Sequence, residues 1–277
     1  MSDPGWVPPG IDPTRPNIAR VYDFQLGGKD NYAVDRQVGR QILDLAPDAP
    51  AIARSNRSFL RRAVRYMIAD AGIRQFVDIG SGLPTQGNVH EVAQDANPGT
   101  RVVYVDNDPV VLVHARALLD TSDATKVIKA DLRRPAEILS DPVLRKFIHF
   151  DQPVGLLLIA ILHHVNDDER PEDITAQLGA ALAPGSHLAI SHFHNPGSAL
   201  PEEAALAAAS EELMIEKFGS GRFRSAAEVR RFFGDFELLD PGVVPLPLWR
   251  PEPGEPPTMI SADHRLVGGV ARKTTTR

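Results

Sequence analysis

The 277-residue chain has no cysteine, which excludes disulfide staples, thiolate zinc sites and a cysteine nucleophile. It has no long hydrophobic run either. The longest strongly apolar stretch, VGLLLIAIL at 154–162, is well short of the ~20 residues that a membrane-spanning helix needs. Residues 1–10, MSDPGWVPPG, lack the basic and apolar regions of a signal peptide, so the cytoplasm is the expected compartment and a membrane is not an expected partner. Excess positive charge is missing too: 30 Lys and Arg stand against 36 Asp and Glu, a formal net charge of −6. The phosphate backbone rewards clustered positive charge, so nucleic acid is not an expected partner. HExxH and comparable ligand spacings are absent, and no metal site is expected.

What is present is the composition of an ordinary globular protein, 43% hydrophobic and 24% charged, which excludes a wholly disordered or fibrous chain. At ~150 residues per domain the length suits one large domain or two small ones. Five of the 24 prolines fall in residues 1–16 and seven in 241–257. Proline fixes φ and removes a donor, so these stretches should be extended or looped, with 1–12 a poorly ordered tail.

Between the proline-rich ends, strands and helices alternate. Phe59, Ala63, Met67 and Leu60, Val64, Ile68 recur every four residues, which predicts a helix over 55–70 that Gly72 can stop. Strands are predicted at 75–80, 101–106, 126–131, 154–162 and 187–193, with helices at 87–96, 109–120, 135–147 and 171–183. That alternation predicts a parallel α/β sheet with helices on both faces, and 154–162 as a central strand. After two helices at 202–218 and 225–233, strands at 236–249 and 265–272 follow with no helix between them, and so should be antiparallel. The expected organisation is a helical cap over 13–72 and a main domain over 73–277, carrying a helical insertion at about 197–234.

Three acidic strand ends carry the chemistry. The first strand gives Asp78-Ile79-Gly80-Ser81-Gly82, the second ends Asp106-Asn107-Asp108, and the third ends Asp131-Leu132. In an open α/β sheet the ligand lies at the carboxyl ends of the strands. Glycines at 80 and 82 let backbone approach a ligand closely. Asp106 can accept two hydrogen bonds from a ribose diol, and Asp131 can accept one from an exocyclic amine such as that of adenine. The dinucleotide fingerprint GxGxxG is not met, because Pro84 intervenes and Thr85 holds its last position. About 75 residues also precede the glycine strand. Both points favour a nucleoside ligand without a pyrophosphate.

The segments at 77–94, 101–119 and 129–135, together with TRPNIARVYDFQLGGKDNYAVDR (14–36), ARSNRSFLRRAVRYM (53–67) and LHHVNDD (162–168), resemble the actinobacterial S-adenosyl methyltransferase family, formerly a domain of unknown function within the class I methyltransferases. The resemblance covers roughly residues 12–272. It implies a Rossmann-like, doubly wound sheet of seven strands with the last antiparallel, an N-terminal helical extension, and bound S-adenosylmethionine. By position, Asp78, Gly80, Ser81 and Gly82 match the loop that faces the methionyl part. Asp106 and Asn107 match the ribose acid and its neighbour beside adenine. Asp131 and Leu132 match the adenine-edge pair. Ala160, Ile161 and His163 match the segment next to the transferring methyl. The family-wide third glycine of the loop is replaced around Leu83-Pro84-Thr85.

Methyl transfer needs a base only where the acceptor carries a proton that must leave. His163 and His192 are the candidate catalytic residues, and His164 and His194 sit beside them at the tips of the fourth and fifth strands. Each of the four is read either as a wall residue or as a base. Gly27-Gly28 interrupts a helical run that begins near Pro16. The segment is either a lid or a packed helix-turn-helix, and Tyr22, Lys29, Asn31 and Tyr32 are candidates for the methionyl end or the acceptor. Arg54, Arg57, Arg61 and Arg65 form a stripe that is either a solvated face or an anion site, and by the resemblance Arg57 is the candidate partner for the cofactor carboxylate. The helix 202–218 is either a cover for the acceptor site or a core-packing helix. The expected activity is methyl transfer from S-adenosylmethionine to a small-molecule acceptor. The alternatives are a non-catalytic cofactor-binding module and, disfavoured by the glycine loop, an NAD(P)-dependent oxidoreductase. The acceptor and the oligomeric state are left open.

Overall fold

The computed structural model describes residues 12–83, 87–119, 123–252, 254 and 258–275, without the side chains of 116–119. Nearly all of the expected tail, and Pro84-Thr85 of the glycine loop, lie outside the described residues.

Five parallel strands, β1 (Gln75–Ile79), β2 (Arg101–Asp106), β3 (Thr125–Lys129), β4 (Gly155–Ile159) and β5 (His187–Phe193), are followed by β6 (Glu237–Leu238), β7 (Val244–Pro245) and β8 (Leu266–Arg272). The sheet order is β3-β2-β1-β4-β5-β8-β6, with β7 also on β8. β8 runs antiparallel to β6, as the absence of a crossover helix between them predicts, and also to β5. The helices are α1 (Ile18–Gln25), α2 (Ala33–Leu45), α3 (Ala49–Ala69), α4 (Val89–Ala96), α5 (Pro109–Leu119), α6 (Pro135–Ser140), α7 (Pro142–Phe147), α8 (Pro171–Ala180), α9 (Pro201–Phe218) and α10 (Ala226–Arg231). No helix among the described residues is long and apolar enough to cross a membrane.

Strand alternation divides the core into two layers. Val77 and Ile79, Val103 and Val105, and Leu156 and Leu158 pack on one face. Phe76, Val102 and Leu157 pack on the other, against Phe59, Leu60, Val64, Met67 and Ile68 of α3. Each of these large side chains contributes ~1.5–3 kcal/mol by leaving water. A strand buried on both faces must be apolar throughout, hence the continuous run in β4. The chain steps from β1 outward to β2 and β3, then returns to β4 on the other side of β1. That reversal opens a crevice at the carboxyl end of β1.

The elements differ from expectation at four places, the first being the strand expected over 154–162, which ends at Ile159 because Ala160 turns to positive φ and Leu162–His164 form a 3-10 turn. The helix expected over 135–147 is two helices, because Pro142 cannot continue the first and the Asp141 carboxylate caps the second through Val143 N and Leu144 N. The strand expected over 236–249 is the two short strands β6 and β7, separated by a turn at Gly242 and broken by prolines that supply no ladder donor. α3 starts before Ser55, at Ala49, with Pro50 in its first turn, where a missing N–H costs nothing.

Candidate functional site

The carboxyl ends of β1, β2 and β3 stand side by side, with Ile79 opposite Val105 and Asp106 opposite Lys129. Asp78 points to the α3 face, and burial raises its carboxyl to about 7, with Arg57 opposing and Asp106 adding to the shift. Gly80 has φ +74°, and a Cβ there would lie 2.3 Å from the Ile161 side chain. The loop therefore turns tightly onto the tip of β4 only because residue 80 is glycine. Gly82, also at positive φ, donates its N–H to Asp106 Oδ2 at 2.9 Å, while Asp108 N donates to Oδ1 at 2.9 Å. Burial raises the Asp106 carboxyl, and these backbone donors oppose it. At Asp131, burial is outweighed by Arg133, which grips both oxygens and holds the carboxyl below its ordinary value. Leu132 beside it is buried.

Two cavities meet here. One, of about 230 Å³, reaches from Asp78, Gly80, Ser81 and Gly82 to a wall built by α1, α2, α3 and α9. The other, of about 570 Å³, holds Ala130, Asp131 and Leu132. Gly80, Asp106, Asn107, Ile161 and His164 line both. Ala160 and His163 line the first. Ala160 sits at φ +54°, a left-handed conformation that is costly for a residue with a Cβ. Its N–H donates to Ser191 Oγ at 2.9 Å, Ser191 Oγ donates to Asn56 Oδ1 at 2.6 Å, and Asn56 Nδ2 donates to the Tyr22 hydroxyl at 3.1 Å. This chain runs from the tip of β4 to α1.

The four histidines have different surroundings. The His163 ring stacks on Phe193 at 3.7 Å and 13°, and burial, then His164, His192 and Arg224, push it well below its usual pKa. His164 lies 3.2 Å from Ser220 Oγ and is lowered by burial to about 4. His192 is fully buried and donates from Nδ1 to Phe193 O at 2.6 Å, while Arg224 Nη1 donates to its Nε2 at 2.9 Å. A carbonyl only accepts and a guanidinium only donates, so this geometry fixes one neutral tautomer with both nitrogens engaged. His194 donates from Nδ1 to His264 O at 2.6 Å.

Of the lid and substrate candidates, Tyr22, Arg57 and His164 line the first cavity. Lys29, Asn31, Tyr32, His192 and His194 line neither cavity. Lys29 is exposed. Asn31 holds the α1–α2 turn through Asp23 Oδ2 and Gly28 O, and Tyr32 lies beside Arg20, whose guanidinium pairs with buried Asp35. Arg57 Nε is buried with no hydrogen-bond partner.

Sequence reasoning missed Asn56, Ser191, Phe223, Arg224 and Arg265. Arg224 uses all five of its donors, on Asp167, Leu162 O, Val165 O and His192. Nothing in its local sequence signals this, because each partner is remote in the chain.

Sheet, switch point and acidic rim define a nucleoside-cofactor protein with a methyltransferase-like fold. The S-adenosyl methyltransferase family model matches residues 4–274. A candidate methyltransferase of Thermobifida fusca is 42% identical across 98% of this chain and 100% of its own, with a TM-score of 0.91. A DUF574 family protein of Streptomyces avermitilis is 38% identical across 94% of this chain and 98% of its own, with a TM-score of 0.86. An O-methyltransferase family protein of Burkholderia thailandensis shares the fold at 13% identity and a TM-score of 0.54, over 92% of this chain and 64% of its own. No curated protein matches. The chain belongs to the S-adenosyl methyltransferase family, and its cofactor is S-adenosylmethionine.

Proposed function

We propose that the protein catalyses methyl transfer from S-adenosylmethionine to a small-molecule acceptor, with adenosine in the larger cavity and the acceptor beneath α1, α2 and α9. The observation that carries this reading is the junction of the two cavities at Gly80, Asp106, Ile161 and His164. The residues fit the cofactor. Arg57 has an orphan buried Nε for a carboxylate, and Asp78 is the acid beside it for an ammonium. Asp106 suits the ribose diol, and Asp131 suits an exocyclic amine. When bound, the cofactor supplies an electrophilic methyl group on a positively charged sulfur.

The protein contributes orientation and exclusion of water. The hydrogen-bonded chain from Ala160 to Tyr22 holds the tip of β4 against the cavity. His164 is neutral at physiological pH with its Nε2 uncommitted among the described contacts, and it can receive a proton released by the acceptor. His192 is a support for this region, not a base. The segments 13–72 and about 197–234 serve as a cap over the main domain, with the polar residues of 14–36 acting as scaffold.

Calorimetry with S-adenosylmethionine, S-adenosylhomocysteine and NAD tests the binding half. Micromolar binding of the first two but not of NAD is expected, with Asp106→Ala weakening it ~10–100-fold. Transfer of labelled methyl into a metabolite extract tests catalysis, and binding without transfer would reduce the protein to a cofactor-holding module.

A further inference from the structure

We infer that the methyl acceptor is a neutral, planar, predominantly apolar small molecule that stacks on Phe223. This rests on the methyl-transfer reading above and concerns the half of the smaller cavity away from the glycine loop. Its wall there is built from Val21, Ile42, Leu45, Leu213 and Met214. The charged residues that line the cavity fall into two groups. Arg57, Asp78, Asp106 and Asp108 lie at the cofactor end. Arg265 lies at the other, where its Nη2 is bonded to Asp48 and its Nε is 2.8 Å from Glu203. That guanidinium is only 2% exposed and is ion-paired with two carboxylates, neither of which lines the cavity. Among the described residues, the acceptor half therefore offers no free charge to either an anion or a cation. A charged acceptor would surrender its hydration there without compensation.

Planarity is argued from three rings. His163, Phe193 and Phe223 form a column, spaced 3.7 and 4.6 Å, with 13° between successive planes. All three line the cavity. The column begins beside Ala160, where the methyl must be delivered, and ends at half-buried Phe223, on which no further ring packs among the described residues. A flat ring continues such a column with offset stacking, whereas a saturated ring does not. Gln25, on the same wall, keeps a buried Oε1 without a partner, which suits one hydroxyl or amine on that ring.

The test uses the full-length protein loaded with S-adenosylhomocysteine. 2-Naphthol, 2-naphthoate, 2-naphthylmethylammonium and decahydro-2-naphthol are each titrated by calorimetry at neutral pH. 2-Naphthol is expected to bind about tenfold tighter than either ion and several-fold tighter than the saturated alcohol. Phe223→Ala should erase the preference for the flat ring. Leu213→Trp, which fills the cavity from α9, should abolish 2-naphthol binding. Both variants should still melt cooperatively and keep their affinity for S-adenosylhomocysteine. Ions that bind as tightly as 2-naphthol would overturn the inference, as would a loaded protein that binds none of the four. Failure to bind S-adenosylhomocysteine would instead overturn the donor reading, and the acceptor class would fall with it.

Discussion

Asp78 is the residue whose protonation the site feels most directly. Its carboxyl titrates at about 7, raised mainly by burial. If Asp78 holds the cofactor's ammonium as proposed, that charge favours the ionised form, so binding should release the proton. Cofactor affinity is therefore expected to rise about tenfold per pH unit below 7 and to level off above it. Asp78→Asn should flatten this profile at the weaker level, as isothermal titration across pH 5.5–8.5 will show. Stability should run the other way. A folded carboxyl raised above its unfolded value stays protonated while the unfolded chain ionises, so as pH climbs from about 4 towards 7 this group increasingly favours unfolding. The ligand-free Asp78→Asn variant should accordingly melt higher than the parent at pH 8 and no higher at pH 4. His192 calls for a different experiment. Because both its nitrogens are committed, His192→Phe strands a buried Arg224 donor and should cost ~1–3 kcal/mol of stability. His164→Ala should instead lower turnover, read by steady-state kinetics, while affinity for S-adenosylmethionine changes little.

At the scale of elements, the turn at 162–165 is the part held most firmly from outside. Arg224 bonds both Leu162 O and Val165 O and braces them against His192 and Asp167. On the proposed reading, this buried guanidinium with every donor used is a positioning residue for His163 and His164. Arg224→Met is expected to lower kcat by at least tenfold while cofactor affinity changes about threefold or less, and Arg224→Lys should recover little because an ammonium cannot span these partners. Steady-state kinetics set against calorimetry separates the two effects. The parallel strands and their acidic tips were legible in the sequence because burial on both faces imposes apolar runs that end where the ligand crevice opens. The supports of those tips were not. Ser191 reads as one polar residue in a buried strand, and Asn56 reads as one polar residue in a helix. Only the fold brings them to 2.6 Å from each other. The helix expected over 135–147 and the strand expected over 236–249 failed for the same local reason. Proline within an apolar pattern ended the element, and hydrophobic spacing alone does not register a missing donor.

Across the whole molecule, the helices proposed to form the cap come from two distant stretches of chain. α2 packs on α9, and both cap segments converge on Arg265 at the start of β8. Asp48 reaches it from the α2–α3 joint, and Glu203 reaches it from the first turn of α9. Ser261 adds a hydrogen bond to Glu203 at 2.5 Å. The latch explains why Asp48 leaves the N-terminus of α3 without a side-chain cap: its carboxylate is engaged elsewhere. Asp48 is partly exposed, but removing the buried guanidinium leaves the largely buried Glu203 carboxylate unpaired, at ~3–5 kcal/mol. Arg265→Met should therefore destabilise the protein by about that amount in urea. Arg265→Met combined with Glu203→Gln should recover part of the loss, because one stranded carboxylate is neutralised. If the cluster fastens the cap rather than the sheet, the single variant should also be nicked by trypsin faster after Lys29, between α1 and α2, and after Lys217, near the end of α9, while β1–β5 stay protected from hydrogen exchange. Uniform loss of protection across sheet and cap alike would show that the cap and sheet unfold as one unit and that no separate latch exists.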